Sequence, residues 1–316
     1  MGSSRRLAAV AGILLLLATG CGPARPDAGG EAPPADAGHS LQPQQSGPGR
    51  ESGGGLDHVV IIVEENRPAA EVLGSASAPF INQLAADYAL AANYSAVTHP
   101  SLPNYLALTG GTTAGITADC LPAPGSCQAR GDGITGQIGQ SGRTWKMYAE
   151  GMPGPCTAKN SGLYAVKHNP FMYYPGITGD AAYCAAHVVP FARLAGDLKT
   201  ASTLPDYVFI SPDLCHDMHN CPVETGDAWL ARQVAKILAS PAFTRQHSLL
   251  VLTWDEGRGN RNKVATIFAG PAARASYRSD TAYDHYSLLH TIENAWGLDP
   301  LTGNDGNAPV MNELLR

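Results

Sequence analysis

The sequence predicts one α/β domain over residues 56–316, with a mostly parallel central sheet and helices on both faces. Three observations predict it. His58-Val59-Val60-Ile61-Ile62-Val63 is an unbroken apolar run dominated by β-branched residues, the pattern of a strand buried on both faces. Strand-like and helix-like segments alternate along the chain, which favours parallel strands joined by crossover helices. Polar residues gather just after the strand-like runs, where an open α/β sheet binds its ligands.

The elements follow in order. Phe80, Ile81, Leu84, Ala85, Tyr88 and Ala91 recur at helical spacing, so a helix is expected over 78–94. Further strands are expected at Thr144–Tyr148, Tyr207–Ser211, Leu249–Trp254 and Val264–Ala269. Helices are expected near Pro190–Leu198, Gly226–Ser240 and Tyr286–Trp296. The spans Thr112–Arg143 and Gly151–Asp180 are rich in Gly, Pro and Cys and read as loops able to wall a site.

The chain has 316 residues, 44% of them hydrophobic, which supports a substantial core and excludes wholesale disorder. Its 35 glycines and 24 prolines lack the three-residue period of collagen. The formal charge of −6 would fall further on loss of Arg5 and Arg6, so nucleic acid is not an expected partner.

Residues 1–21 carry Arg5-Arg6, an apolar run from Leu7 to Leu17, and Ala18-Thr19-Gly20-Cys21. The run is too short to span a bilayer and precedes a small residue, so it reads as an export signal. Cys21 resembles the acylated cysteine of bacterial lipoproteins, which would tether the protein to the outer face of the cell membrane; simple secretion is the alternative. Residues 22–55 hold nine glycines, six prolines and no aromatic residue, the composition of a flexible tether. Six cysteines follow Cys21, and an even number in an exported chain suggests disulfides. Fifteen pairings are open; short loops favour Cys120–Cys127, Cys156–Cys184 and Cys215–Cys221.

The chemistry collects after the strands. Glu64-Glu65-Asn66-Arg67 follows the first, Asp213 through Asn220 the strand ending at Ser211, and Asp255-Glu256 the strand ending at Trp254; Asp284-His285 precedes the last helix. Carboxylates, imidazoles and an amide at one sheet edge suit a divalent metal ion. Taken singly, each has a structural alternative as a solvated charge, a turn former or a backbone-bonded histidine. Ser101 falls at or just before a helix start, with Pro103 in the first turn, where backbone N–H groups favour an incoming phosphate. Serine is also a common N-cap, so the motif alone does not define a nucleophile.

Val59–Pro68 (VVIIVEENRP), Thr98–Gly110 (THPSLPNYLALTG), Asp217-Met218-His219 with Gly226–Leu230, Val251–Glu256 (VLTWDE) and His285-Tyr286 form an ordered set. This set resembles the bacterial phosphoesterase family of secreted acid phosphatases and phosphocholine-preferring phospholipases C, related in fold to the alkaline phosphatases. The resemblance runs from about Asp57 to the C-terminus. The chain's size and the Lys167-His168 stretch look most similar to members that dephosphorylate phosphoinositides.

The resemblance implies an alkaline-phosphatase-like three-layer sandwich and a phosphate monoester hydrolase working through a phosphoserine at Ser101. It implies metal ligation by Glu65, Asn66, Asp217, Asp255 and Glu256, and substrate contacts from Asn104, Lys167 and His168. His219 and His285 would serve as ligands or proton carriers. Asp213 stands where many relatives have asparagine, and Glu256 where some have aspartate. The expected substrate is a phosphorylated small molecule or phospholipid. A phospholipase C-type phosphodiesterase and a non-catalytic, lipid-anchored binder of phosphorylated ligands are the alternatives.

Overall fold

The computed structural model describes residues 55–316. The export segment, Cys21 and all but the last residue of the Gly/Pro-rich tether lie outside the described residues. Ten strands occur among those described. They are β1 (Val59–Glu64), β2 (Ala89–Ala91), β3 (Tyr94–Ser95), β4 (Trp145–Ala149) and β5 (Val188–Pro190). Then follow β6 (Tyr207–Ser211), β7 (Leu249–Trp254), β8 (Thr266–Ala269), β9 (Tyr277–Ser279) and β10 (Tyr283–Asp284).

Eight of these strands form one sheet in the order β5-β4-β6-β1-β7-β8-β2-β9, and β3 pairs with β10 apart from it. The pairing is parallel except where β8 runs antiparallel to β7 and β2. β1 lies between β6 and β7, with Ile61 facing Phe209 on one side and Val251 on the other. All six of its residues are buried, as a β-branched run covered on both faces should be.

Helices cover both faces of the sheet. The Pro79–Asp87 helix packs with Val223–Leu238, and the Ser101–Gly110 helix with His285–Trp296. The first is shorter than its periodicity predicts: it stops at Asp87 because Ala89–Ala91 is drawn into β2 by pairing with β8 and β9. The expected helix over Pro190–Leu198 is present as a 3-10 turn over Phe191–Arg193 running into an α-helix over Leu194–Asp197, with Pro190 instead pairing with β4. The loop-rich span 112–143 contains one further helix, Ile134–Gln140. The three favoured disulfides are present, Cys120–Cys127, Cys156–Cys184 and Cys215–Cys221.

Two features set the loop after β6. Cys215–Cys221 ties its ends, and Gly226 lets the Val223–Leu238 helix press against it. A Cβ at Gly226 would lie 2.5 Å from the Met218 side chain and 2.7 Å from the His216 carbonyl. Among the described residues no helix is long and apolar enough to cross a membrane.

Candidate active site

Because β4, β6, β1 and β7 are parallel neighbours, their carboxyl ends deliver Glu150, the Asp213–His219 loop, Glu65-Asn66 and Asp255-Glu256 to one edge of the sheet. Asn66 and Met218, at two of these exits, have positive φ values of 53° and 71°. Asn tolerates that region; Met does so at a cost of order 1–3 kcal/mol, a pattern common at functional sites. The Arg67 guanidinium donates to the Met218 carbonyl from Nε and Nη2, bracing that turn.

Ser101 is the first residue of its helix and is buried. Its Oγ donates to Glu65 Oε2 at 3.1 Å, and Asn66 Nδ2 donates to the same oxygen at 3.0 Å. Glu65 Oε1 lies 2.9 Å from His168 Nε2, and His168 Nδ1 lies 3.1 Å from Asp217 Oδ2. These are charge contacts whose N–H directions are not aligned as hydrogen bonds. Asp217 Oδ1 accepts the His219 backbone N–H. A buried row, Ser101–Glu65–His168–Asp217, thus runs beneath the sheet edge, with Tyr105 stacked on the His168 ring.

The charges in that row follow from its isolation. Burial disfavours an ionised Glu65, but the His168 imidazolium beside it and Lys167 nearby hold its carboxyl down at about 2. Burial likewise opposes charge on His168, and the Glu65 and Asp217 carboxylates override it, raising the imidazole to about 9.

Asp255 closes the other side. Its Oδ1 accepts the Asn66 N–H at 3.0 Å, while Oδ2 is buried without a hydrogen-bond partner. Burial, then the charges of Glu65 and Glu256, push Asp255 well above the usual carboxylate range. Both carboxylates bond Asn66, Glu65 Oε2 accepting from its Nδ2 and Asp255 Oδ1 from its backbone N–H. Two buried carboxylates meeting at Asn66, one with an unpartnered oxygen, beside an amide and a hydroxyl, are a hard-oxygen donor set that fits a divalent cation. Glu256 Oε2 meets His99 Nδ1 at 2.5 Å, so its Oε1 is the atom that could join this donor set.

The remaining expected residues divide by surroundings. Lys167 Nζ is 3.4 Å from Ser101 Oγ and 2.8 Å from Asp119 Oδ2. Asn104 has its full hydrogen-bonding capacity engaged: Nδ2 donates to the Thr98 and Pro100 carbonyls, and Oδ1 accepts from Val97 and Thr98 N–H. His285 is buried under Asp255. Its Nε2 must donate to the Asp255 carbonyl (2.6 Å), which leaves Nδ1 to accept from Tyr94 hydroxyl (3.0 Å). Burial keeps this imidazole neutral, lowering its pKa to about 4. His219 is exposed, bonded to its neighbour Asn220, with its ring 6.1 Å from that of His168.

Asp119 and His99 touch this constellation without having been singled out. Both sit in stretches with no periodic signal; His99 stands two residues before Ser101 and Asp119 just before Cys120. A second group, Glu150, Asp213 and His216, brings ligand atoms within 4.8 Å of one another and could hold a metal ion.

The fold is that of the alkaline phosphatase superfamily. A superfamily protein from Vibrio parahaemolyticus superposes with a TM-score of 0.56 at 14% identity, covering 82% of this chain and 72% of that one. Murine ectonucleotide pyrophosphatase/phosphodiesterase 5, solved in complex with AMP, superposes with a TM-score of 0.55 at 13% identity, covering 82% of this chain and all of that one. The model of the phosphoesterase family matches residues 72–299. The chain belongs to that family and is a phosphoric ester hydrolase. It is 38% identical to the phosphatidylinositol-3-phosphatase of Mycobacterium tuberculosis over 81% of this chain and 82% of that protein. It is 32% identical to the phosphate-repressible acid phosphatase of Penicillium chrysogenum over 73% of this chain, spanning 57% of that longer protein.

Proposed function

We propose that this protein is a divalent-cation-dependent phosphate monoester hydrolase of the acid phosphatase type, with Ser101 forming a phosphoserine intermediate and phosphoinositide headgroups within its substrate class. The observation that carries the proposal is the Ser101 hydroxyl at a helix N-terminus, bonded to buried Glu65 and faced by Lys167, beside the unpartnered Asp255 oxygen.

Glu65, Asn66, Asp255 and Glu256 would hold the cation, which when bound supplies Lewis acidity that lowers the serine pKa. Ser101 Oγ gives up its proton to solvent and bonds to phosphorus as the bond to the alcohol oxygen breaks, and that oxygen takes up a proton at the solvent-facing rim, where His219 stands. Lys167 offsets negative charge on the phosphoryl oxygens. Water then cleaves the phosphoserine, releasing phosphate and restoring Ser101. His168 and Asp217 act by holding Glu65, His285 by holding the Asp255 backbone, and Asn104 by shaping the turn before Ser101. Export and tethering through Cys21 would place this chemistry at the outer face of the cell membrane.

The test is p-nitrophenyl phosphate turnover, with and without chelation and readdition of divalent metals. Ser101→Ala should lose at least about a thousandfold in kcat while its circular dichroism is unchanged. Wild-type protein should trap labelled phosphate on Ser101 after an acid quench. Turnover within a few-fold of wild type in Ser101→Ala would reduce Ser101 to a helix-starting residue.

A further inference from the structure

Lys167 is held in place by more than its own backbone. Its ammonium is 2.8 Å from Asp119 Oδ2, and the other oxygen of Asp119 accepts the backbone N–H of Leu102 at 3.0 Å. Asp119 therefore fixes the ammonium relative to the first turn of the helix that begins with Ser101. Its side chain is 21% exposed and that of Asp119 27%, so the pair lies at the wall of the site and not in open solvent. Asp119 immediately precedes the Cys120–Cys127 loop, and the Cys120 carbonyl accepts from the Tyr173 hydroxyl at 2.7 Å, which ties that wall to the body of the domain.

We infer that the Asp119–Lys167 pair selects phosphate monoesters over diesters, with Asp119 as the positioning residue and Lys167 as the group that contacts the substrate. The inference rests on the phosphatase reading above and assigns it a specificity determinant. A phosphoryl group attacked by Ser101 brings its non-bridging oxygens to within hydrogen-bond reach of an ammonium 3.4 Å from Oγ. A monoester offers three such oxygens carrying two charges. A diester has exchanged one for a neutral ester oxygen and carries one charge. Placing that second ester group against the pair would desolvate the ammonium without a charged partner and crowd the Asp119 wall. A monoester leaves no such mismatch, and a fixed ammonium needs little reorganisation as charge shifts in the transition state.

The experiment compares Lys167→Met and Lys167→Arg with wild type, reading kcat/KM for p-nitrophenyl phosphate and bis(p-nitrophenyl) phosphate, and the inhibition constant of inorganic phosphate. Lys167→Met should lower monoester kcat/KM by about a hundredfold and change the diester value by less than about threefold. Its phosphate inhibition constant should rise at least about tenfold. Lys167→Arg should recover most of the monoester preference by retaining the charge. Equal losses on both esters, or an unchanged phosphate inhibition constant, would overturn the selector. If diester turnover is below detection throughout, the inhibition constant alone decides. Wild-type protein that binds phosphate yet cleaves no monoester with metals supplied would instead sink the phosphatase reading, and direct phosphate binding to the Met variant would still judge Lys167.

Discussion

Two clusters at the same sheet edge are built from the same residue types. In one, Glu65 and Asp217 flank His168, with Asp255 joined to Glu65 through Asn66; in the other, Glu150 and Asp213 meet His216. Their burial differs sharply: the His168 and Glu65 side chains are 3% and 0% exposed, those of His216 and Glu150 29% and 20%. The bonding differs too. Asp213 Oδ1 accepts two backbone N–H groups, Glu150 Oε1 accepts from Trp229, and the His216 ring stacks on Trp229. These contacts stabilise a loop. The first cluster leaves the Asp255 Oδ2 atom unpartnered in the interior and bonds a serine hydroxyl to Glu65. Isolation from water and an unmet coordination demand distinguish the cluster proposed as reactive; residue composition does not.

Three substitutions can break or sharpen that contrast. His168→Gln should cost the most, roughly 10- to 100-fold in kcat, because Glu65 loses the cation that holds it charged and in place; circular dichroism should be unchanged, and a few-fold loss would show that the row beneath Ser101 is mere packing. His216→Ala should leave kcat within about threefold and lower the melting temperature by a few degrees, through loss of the Glu150 contact and Trp229 stacking. A large activity loss there would make the second cluster the reactive one.

The smallest effect on turnover is expected from Glu293→Gln. Glu293 is buried beside Asp305, and burial, then the Asp305 charge, raise its carboxyl to about 9. An acid whose folded pKa is raised binds its proton more tightly when folded. The stability it contributes is complete below the unfolded value near 4.5 and is lost as pH rises toward about 9. Gln removes that loss, so Glu293→Gln should be more stable than wild type by on the order of 2 kcal/mol at pH 8 and no more stable at pH 4, with unchanged kcat. Equal stability at pH 8 would show that Glu293 ionises without cost.

The parts of this arrangement that were readable in the sequence are those written locally. The β-branched run of β1 and the acidic residues following β1 and β7 announce a sheet edge, and Ser101 stands at a detectable helix start. What was not readable depends on distant partners. Ala89–Ala91 continues a helical pattern and becomes a strand only because β8 and β9 flank it. Asn104 matches a phosphate-contacting position by resemblance, yet the bend at Val97–Pro100 takes up its whole amide. Asp119 gives no local signal because its two partners, Leu102 and Lys167, are 17 and 48 residues away in the chain.

Glu64 and Glu65 are adjacent carboxyl groups with opposite fates. Successive side chains leave a strand on opposite sides. Glu65 meets Ser101, whereas both Glu64 oxygens are sealed off without partners and burial, then the Asp217 charge, push its carboxyl well above the usual range. Slipping β1 by a single position would turn both to the opposite face, taking Glu65 away from Ser101. If the proposed site is the active one, the frame of one six-residue strand is as much a condition of activity as any single functional group, and deletions or insertions within Val59–Glu64 should lower activity far more than substitutions there.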